Sequence, residues 1–470
     1  MKRLITCVTI LIVGASCVLR TPEKAPPHEQ EPLSTKAPPH EPEPLRTKAP
    51  LHEQERLSAD EFAVFLTGNV LGALKPCGCS GGQLGGLERR TAIFNTVPDQ
   101  KRLIIDTGSF VESDGEQDLI KYHIIVQALQ QLDYDLVGLS EEDIEIGRNI
   151  GMLDSIESAF NIISSHGTAD IDAPAKFTKK FSLKGRTVLL TVAVFDQEST
   201  PVEQIEELLA LPAGVPTLNI LILNHSDSGT IDSIAKTAPF VDCVVCPSES
   251  DEPVVIGNAE KRPLAFTVGR FGRYICGLKV TAPARVGQPL RLTFKALPVE
   301  EGLPKDDSLV KLYEDYQQIV EDRNLLEKHP RFALPDDLKY AGSKFCKPCH
   351  GYEYETWSGQ AHARAYSTLE QVNSQFDPEC VVCHVSGMDY ESGFISQQDT
   401  GHLMNVGCEN CHGPGSKHIL TAGATKLTEP KSTCIDCHTP EHSGDYAGNE
   451  DDKMEKTKHW REPNAAGNVK

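Results

Sequence analysis

Four times between residues 346 and 438 the chain places two cysteines three positions apart with a histidine directly after the second. The runs are Cys346-Lys-Pro-Cys349-His350, Cys380-Val-Val-Cys383-His384, Cys408-Glu-Asn-Cys411-His412 and Cys434-Ile-Asp-Cys437-His438. On one helical turn positions i, i+3 and i+4 share a face. Both sulfurs then reach the two vinyl groups of one haem while the adjacent imidazole reaches its iron. Thioether bonds also keep the cofactor on an exported chain. Zinc is the rival ligand, but zinc ribbons pair their CxxC motifs about 15–20 residues apart. Here the motifs are separated by 30, 24 and 22 residues, and no second cysteine lacks its histidine. The pattern predicts four covalently attached c-type haems.

Iron takes a sixth ligand. Beyond the four proximal histidines the same region holds His362, His402, His418, His442 and His459, with Met388, Met404 and Met454 as softer donors. A second histidine gives a closed, low-spin iron of low potential suited to electron transfer; methionine raises the potential, and an empty position admits substrate. Residues 335–470 are rich in Gly, His and charged residues and poor in periodic apolar runs. Four porphyrins would supply the interior that these side chains lack.

The elements that precede this region alternate strand and helix. Short apolar runs at Phe62–Thr67, Leu103–Asp106, Leu218–Leu223 and Val241–Val245 read as buried strands. Gln117–Leu132 and Val202–Leu211 read as helices between them. Extended pairs are predicted at Phe177–Leu183 and Thr187–Phe195, and near Leu264–Val268 and Arg273–Val280. The expected class is an α/β layered sandwich over residues 60–300, then a helical connector at 301–334 and a mainly helical and irregular tetrahaem domain at 335–470. In the connector, Leu309, Leu312, Tyr313, Tyr316, Ile319 and Val320 fall on one helical face with acids on the other. That face is expected to pack on a neighbouring domain.

GSKFCKPCHGYEYETWSGQAHARA at 342–365, CVVCHVSGMDYESGF at 380–394 and VGCENCHGPGSKH at 406–418 resemble the cytochrome c-554/c-prime family, and CIDCHTPEHS at 434–443 with KTKHW from 456 continues the likeness. The resemblance implies that His362, His418 and His459 are distal ligands. One haem of the family's best-known member has no protein ligand on its distal side; His402, just before the third motif, either closes that site here or is a bystander.

FLTGNVLGALKPCGCSGGQLGGLERR, LIIDTGSF at 103–110 and DLVGLSEEDIEIG at 135–147 resemble the calcineurin-like metallophosphoesterase and 5'-nucleotidase family, with NHSD at 224–227 and VDCVVCPSES at 241–250 in the places of its later motifs. That family holds two divalent metals through Asp, His and Asn to activate water. Here Asn69, Leu71, Ser109, Ser140, Glu141, Glu142 and the run Cys246 to Ser250 stand where ligands belong, which leaves Asp106 and His225. The resemblance implies a degenerate domain with no phosphoesterase activity. Cys77, Cys79, Cys243 and Cys246 are compatible with disulfides or with an extra metal, and Cys276 leaves the count odd.

At the N-terminus, residues 1–17 hold two basic residues, an apolar stretch and small residues before Cys17, the layout of a secretory signal. Gly14-Ala15-Ser16-Cys17 resembles a bacterial lipoprotein signal, with Cys17 as the lipid-bearing residue; plain cleavage is the alternative. Residues 18–59 carry three 12-residue Pro/Glu-rich repeats beginning at Lys24, Lys36 and Lys48. They cannot bury a core and read as an extended tether reaching on the order of 110 Å.

With 46 Lys plus Arg against 67 Asp plus Glu, the chain carries a net charge of −21. That disfavours nucleic acid and anionic membrane surfaces and favours basic protein partners. The expectation is an exported, lipid-anchored bacterial electron carrier between redox proteins. The alternatives are a redox enzyme acting on nitric oxide or hydroxylamine at one open haem and, further off, a metal-dependent phosphoesterase.

Overall fold

The computed structural model describes residues 57–461 apart from 77–81, 166–170, 172, 197–200, 210–213, 226–228, 259–260, 284, 286–287, 429–432, 440–442 and 444–445. The signal with Cys17, the repeats up to residue 56, Cys77, Cys79 and His442 lie outside the described residues. Residues 54–470 form one compact unit.

Twelve strands occur among the described residues. β1 (Glu61–Thr67), β2 (Arg102–Asp106), β3 (Leu136–Gly138), β4 (Asn161–Ile163), β5 (Lys176–Leu183) and β6 (Arg186–Phe195) come first. β7 (Thr217–Leu223), β8 (Cys243–Cys246), β9 (Val255–Ile256), β10 (Leu264–Thr267), β11 (Tyr274–Thr281) and β12 (Arg291–Pro298) follow. They build two six-stranded mixed sheets, ordered β12-β11-β1-β2-β3-β4 and β5-β6-β7-β8-β10-β9. Parallel pairs run through β1 to β4 and through β6, β7, β8 and β10, with antiparallel strands at the margins. The β5–β6 hairpin turns at Lys184 and Gly185, both at positive φ as a tight two-residue turn demands.

Period-2 alternation divides each strand between two interiors. Phe62, Val64 and Leu66 of β1 join Leu190, Ile220 and Phe266 of the opposite sheet in the core between the sheets. Ala63 and Phe65 turn the other way, towards the helix Glu116–Gln131 and the helix Asp307–Asp322. A third cluster covers the far face of the second sheet, where Phe195, Leu221 and Leu223 meet Ile205 and Ile234. The result is a four-layered α/β sandwich. The helix expected at Val202–Leu211 is instead a 3-10 turn, Val202–Gln204, followed by Ile205–Leu208. Only Ile205 and Leu209 bury there among the described residues, too little apolar area to anchor further turns.

The connector helix Asp307–Asp322 starts at Asp306, whose carboxylate accepts from the Ser308 amide at 3.0 Å. It buries Leu309, Leu312, Tyr316 and Val320 against the sandwich. Asn324, at φ 55°, breaks the helix, and Leu326 then enters a separate cluster with Tyr366, Leu369, Val381, Val385, Met388, Phe394 and Leu403. That small cluster is the apolar core of the C-terminal region, which consists of short helices. No helix among the described residues is long and apolar enough to cross a membrane.

Candidate metal centre

Each Cys-x-x-Cys-His run folds as a helical turn. Motifs two and three lie in the helices Pro378–His384 and Cys408–His412. In motifs one and four the histidine amide donates back to the first cysteine's carbonyl, His350 to Cys346 at 2.9 Å and His438 to Cys434 at 2.8 Å. Each turn thereby gathers two sulfurs and one imidazole.

Distant parts of the chain bring further imidazoles to three of these turns. His350 faces His418 with ring centres 6.0 Å apart, His438 faces His362 at 6.2 Å, and His412 faces His459 at 6.1 Å. The first pair is stacked at 28° between ring planes, the second tilted at 50° and the third edge-on at 80°, all within the roughly 4.5–7 Å span of aromatic contacts. Two imidazoles bound from opposite sides of one metal need about 2.0–2.1 Å for each metal–nitrogen bond plus about 1.1 Å from nitrogen to ring centre, hence about 6.2 Å in all. The three separations fit that spacing.

The other ring nitrogens are already engaged. Nδ1 of His418 lies 2.8 Å from the Thr425 carbonyl, that of His459 2.9 Å from the Thr457 carbonyl, and that of His384 2.6 Å from the Ala365 carbonyl. Nδ1 of His438 is 2.8 Å from the Ser443 hydroxyl, and the His412 ring bonds the Thr428 backbone. A carbonyl at Nδ1 fixes the proton there and leaves Nε2 as the metal donor. Burial first, then neighbouring imidazoles, hold His362 and His412 below their ordinary 6.5, in the neutral form that binds metal.

The motifs come together in two groups. Cys346 and Cys408 are hydrogen-bonded through their sulfurs, as are Cys383 and Cys437. Motif one is thus against motif three, and motif two against motif four. Most of the large apolar side chains exposed among the described residues lie in this region, including Phe345, Tyr352, Ile419, Leu420, Ile435 and Trp460. Trp460 stands edge-on to the His459 ring at 5.5 Å, and exposed apolar surface in the same region as paired imidazoles and thiols is what a porphyrin would cover. Zinc fits less well, because among the described residues no three His, Cys, Asp or Glu side chains gather round one point.

Of the remaining candidates, His402 is exposed, packs against Gly342 and makes no ring contact with a motif histidine among the described residues. Met388 is an apolar core residue, Met404 packs beside it, and Met454 is exposed. Several buried polar groups that hold the motifs carry no sequence signature. The Glu409 carboxylate, 3% exposed, accepts from the amides of Ala341, Gly342 and Gly415 and ties motif one to motif three. The Ser343 hydroxyl accepts from the Cys408 amide, and the Asn410 side chain donates to the Val385 carbonyl. Trp357 Nε1 donates to the Val406 carbonyl, and the Val406 amide in turn donates to the His362 carbonyl. Residues between the two cysteines of a motif read as spacers in a sequence, so nothing there singles out Glu409 or Asn410.

In the sandwich, the loops after β1 and β2 have an unusual backbone. Asn69, Leu71 and Ser109 have φ of 50°, 50° and 62°. Asp106 is fully buried and accepts from Thr67 Oγ1 at 2.6 Å and the Gly108 amide at 2.9 Å, with Tyr134 and Arg90 completing the network. Asp143 accepts from the amides of Ser109, Phe110 and Ser140 and from the Ser140 hydroxyl, so a carboxylate pins the loops together. His225 is 63% exposed and 3.7 Å from Asp196. Cys243 faces the space between the sheets and Cys246 the opposite side of β8. Cys243 and Cys246 thus point to opposite faces of β8, as residues three apart on a strand do; Cys77 and Cys79, grouped with them in the sequence, lie outside the described residues.

A family model described as cytochrome c554 and c-prime matches residues 345–413. Cytochrome c-554 of Nitrosomonas europaea is 33% identical over 98 residues, covering 18% of this chain and 42% of that protein. The chain thus spans about two fifths of the length of that relative. Among solved structures, the chain is similar to a 5'-nucleotidase precursor from Thermus thermophilus, with TM-score 0.42, 17% identity and coverage of 58% of this chain and 61% of that one. It is also similar to the calcineurin-like phosphoesterase YfkN from Bacillus subtilis, with TM-score 0.40, 14% identity and coverage of 55% and 97%. The C-terminal region resembles the multihaem cytochromes c554 and c-prime, a family with covalently bound c-type haem.

Proposed function

We propose that the chain is an exported, membrane-tethered cytochrome that carries electrons between protein partners through four c-type haems. The observation that carries this reading is the set of three imidazole pairs at 6.0–6.2 Å, each pair including the histidine of a Cys-x-x-Cys-His turn. Cys346 and Cys349, Cys380 and Cys383, Cys408 and Cys411, and Cys434 and Cys437 hold the haems, with His350, His384, His412 and His438 as proximal ligands. His418, His362 and His459 serve as distal ligands opposite His350, His438 and His412. Bound haem supplies a one-electron iron couple, and two imidazoles keep it at low potential and closed to substrate. The protein's own part is to fix the His384, His418, His438 and His459 rings through Nδ1 hydrogen bonds and to keep the motifs in two groups.

Cys17 would carry the lipid and the proline-rich repeats would hold the redox region away from the membrane. The sandwich acts as a structural and docking module without metal catalysis. The net charge of −21 favours a basic redox protein as partner. The test is to mix reduced, haem-loaded protein with small basic and acidic redox proteins and follow reoxidation by stopped flow. Faster transfer to the basic partner, slowing as salt rises, is expected. Repeated reduction of hydroxylamine or nitric oxide with dithionite as electron donor, and no transfer to either protein partner, would instead make the chain an enzyme.

A further inference from the structure

The sandwich meets the second haem motif through charge. Helix Pro378–His384 begins at Asp377, 3% exposed, whose carboxylate caps it by accepting from the Glu379 amide at 3.0 Å. The same carboxylate accepts from Gln117 at 2.8 Å, from Gln317 at 3.1 Å and from the Tyr316 hydroxyl at 3.2 Å. All three donors belong to the sandwich or its connector helix. Beside them Lys121, with 7% of its side chain exposed, pairs with Glu379, the residue preceding Cys380. Asp118 lies 3.6 Å from the same ammonium. Gly72, at φ 78°, leaves the room that the Lys121 stem occupies; a Cβ there would stand 3.1 Å from it.

We propose that Lys121 of the sandwich sets the reduction potential of the haem attached at Cys380 and Cys383. This rests on the multihaem reading above. A half-shielded charge next to a redox centre favours the oxidation state of opposite character, and protein interiors screen it weakly. A cation beside the haem favours the reduced iron, and a lone carboxylate favours the oxidised one. Lys121 offsets the surrounding carboxylates of Glu379, Asp118 and Asp377, so the sandwich sets that balance from outside the haem region. Lys121 is a positioning residue: it acts through Glu379 and the helix start, not by touching iron.

The test is spectroelectrochemical titration of the full, haem-loaded chain, with haems counted per chain. The wave belonging to this haem is the one missing from a Cys380→Ser, Cys383→Ser double variant. Lys121→Gln should lower that wave's potential and Glu379→Gln should raise it. The double replacement should return it towards the parent value, and Lys121→Arg should leave it in place. Shifts of the same sign in both single variants, or none in either, would overturn the proposal, since loose packing alone moves both alike. A parent protein without haem at this motif would sink the multihaem reading itself, a separate outcome.

Discussion

A metal-binding imidazole has to offer one nitrogen and satisfy the other, and this chain does so with acceptors close in sequence: Thr457 for His459, Thr425 for His418, Ser443 for His438. The attachment motifs are legible in the sequence because all their chemistry sits in five consecutive residues. Which further histidine faces which motif is not, because His362 reaches the last motif and His459 the third only through the tertiary fold. His418→Ala should therefore convert one low-spin haem, that of His350, into one that binds carbon monoxide, while His402→Ala changes nothing. Absorption and electron paramagnetic resonance spectra of the loaded variants check this, and an equal effect of the two replacements contradicts it. In the sandwich, burial outweighs Arg90, Thr67 and the Gly108 amide and holds the Asp106 carboxyl above its ordinary 3.8. A raised carboxyl pKa means the folded state holds the proton more tightly, so stability falls as pH rises from about 4 through the folded value. Asp106→Asn, which cannot ionise, should gain on the parent protein over that window in urea unfolding and leave the haem spectrum untouched. A gain on lowering the pH would reverse the assignment.

Strands are legible wherever an apolar run meets turn residues: β1, β2 and β7 lie within a residue of the runs read from the sequence. The pattern at 202–211 overstates its helix because periodicity says nothing about how much area a helix will bury. The connector helix is legible from its apolar face, but its second task is not. Tyr316 lies on that face and Gln317 beside it, yet both donate to Asp377 across the boundary between the sandwich and the haem region. Asp377→Ala removes an N-cap, a loss of about 0.5–2 kcal/mol, and strands buried donors at a further cost of about 1–3 kcal/mol. Urea unfolding of the loaded protein, followed by far-ultraviolet circular dichroism and by the haem absorption band, should show both signals moving to lower denaturant together. A shift in one signal alone would mean that the two regions unfold independently.

The whole molecule combines a four-layered sandwich rich in apolar strands with a C-terminal region whose own apolar cluster is small and which carries most of the exposed large apolar side chains among the described residues. The sandwich folds on ordinary hydrophobic burial, so its class follows from strand and helix patterning. The C-terminal region does not, and its composition alone says that something other than side chains has to fill it. Near β1 and β2, Asp106 and Asp143 accept from backbone amides and from the Thr67 and Ser140 hydroxyls. The most direct measurement is the absorption spectrum of the reduced, haem-loaded protein with and without carbon monoxide, with haems counted per chain. Four haems, of which at least three are unmoved by the gas, are the expected result. Fewer than four haems, or a spectrum in which most of the haem band shifts, would contradict the assignment of four attachment motifs and three imidazole pairs.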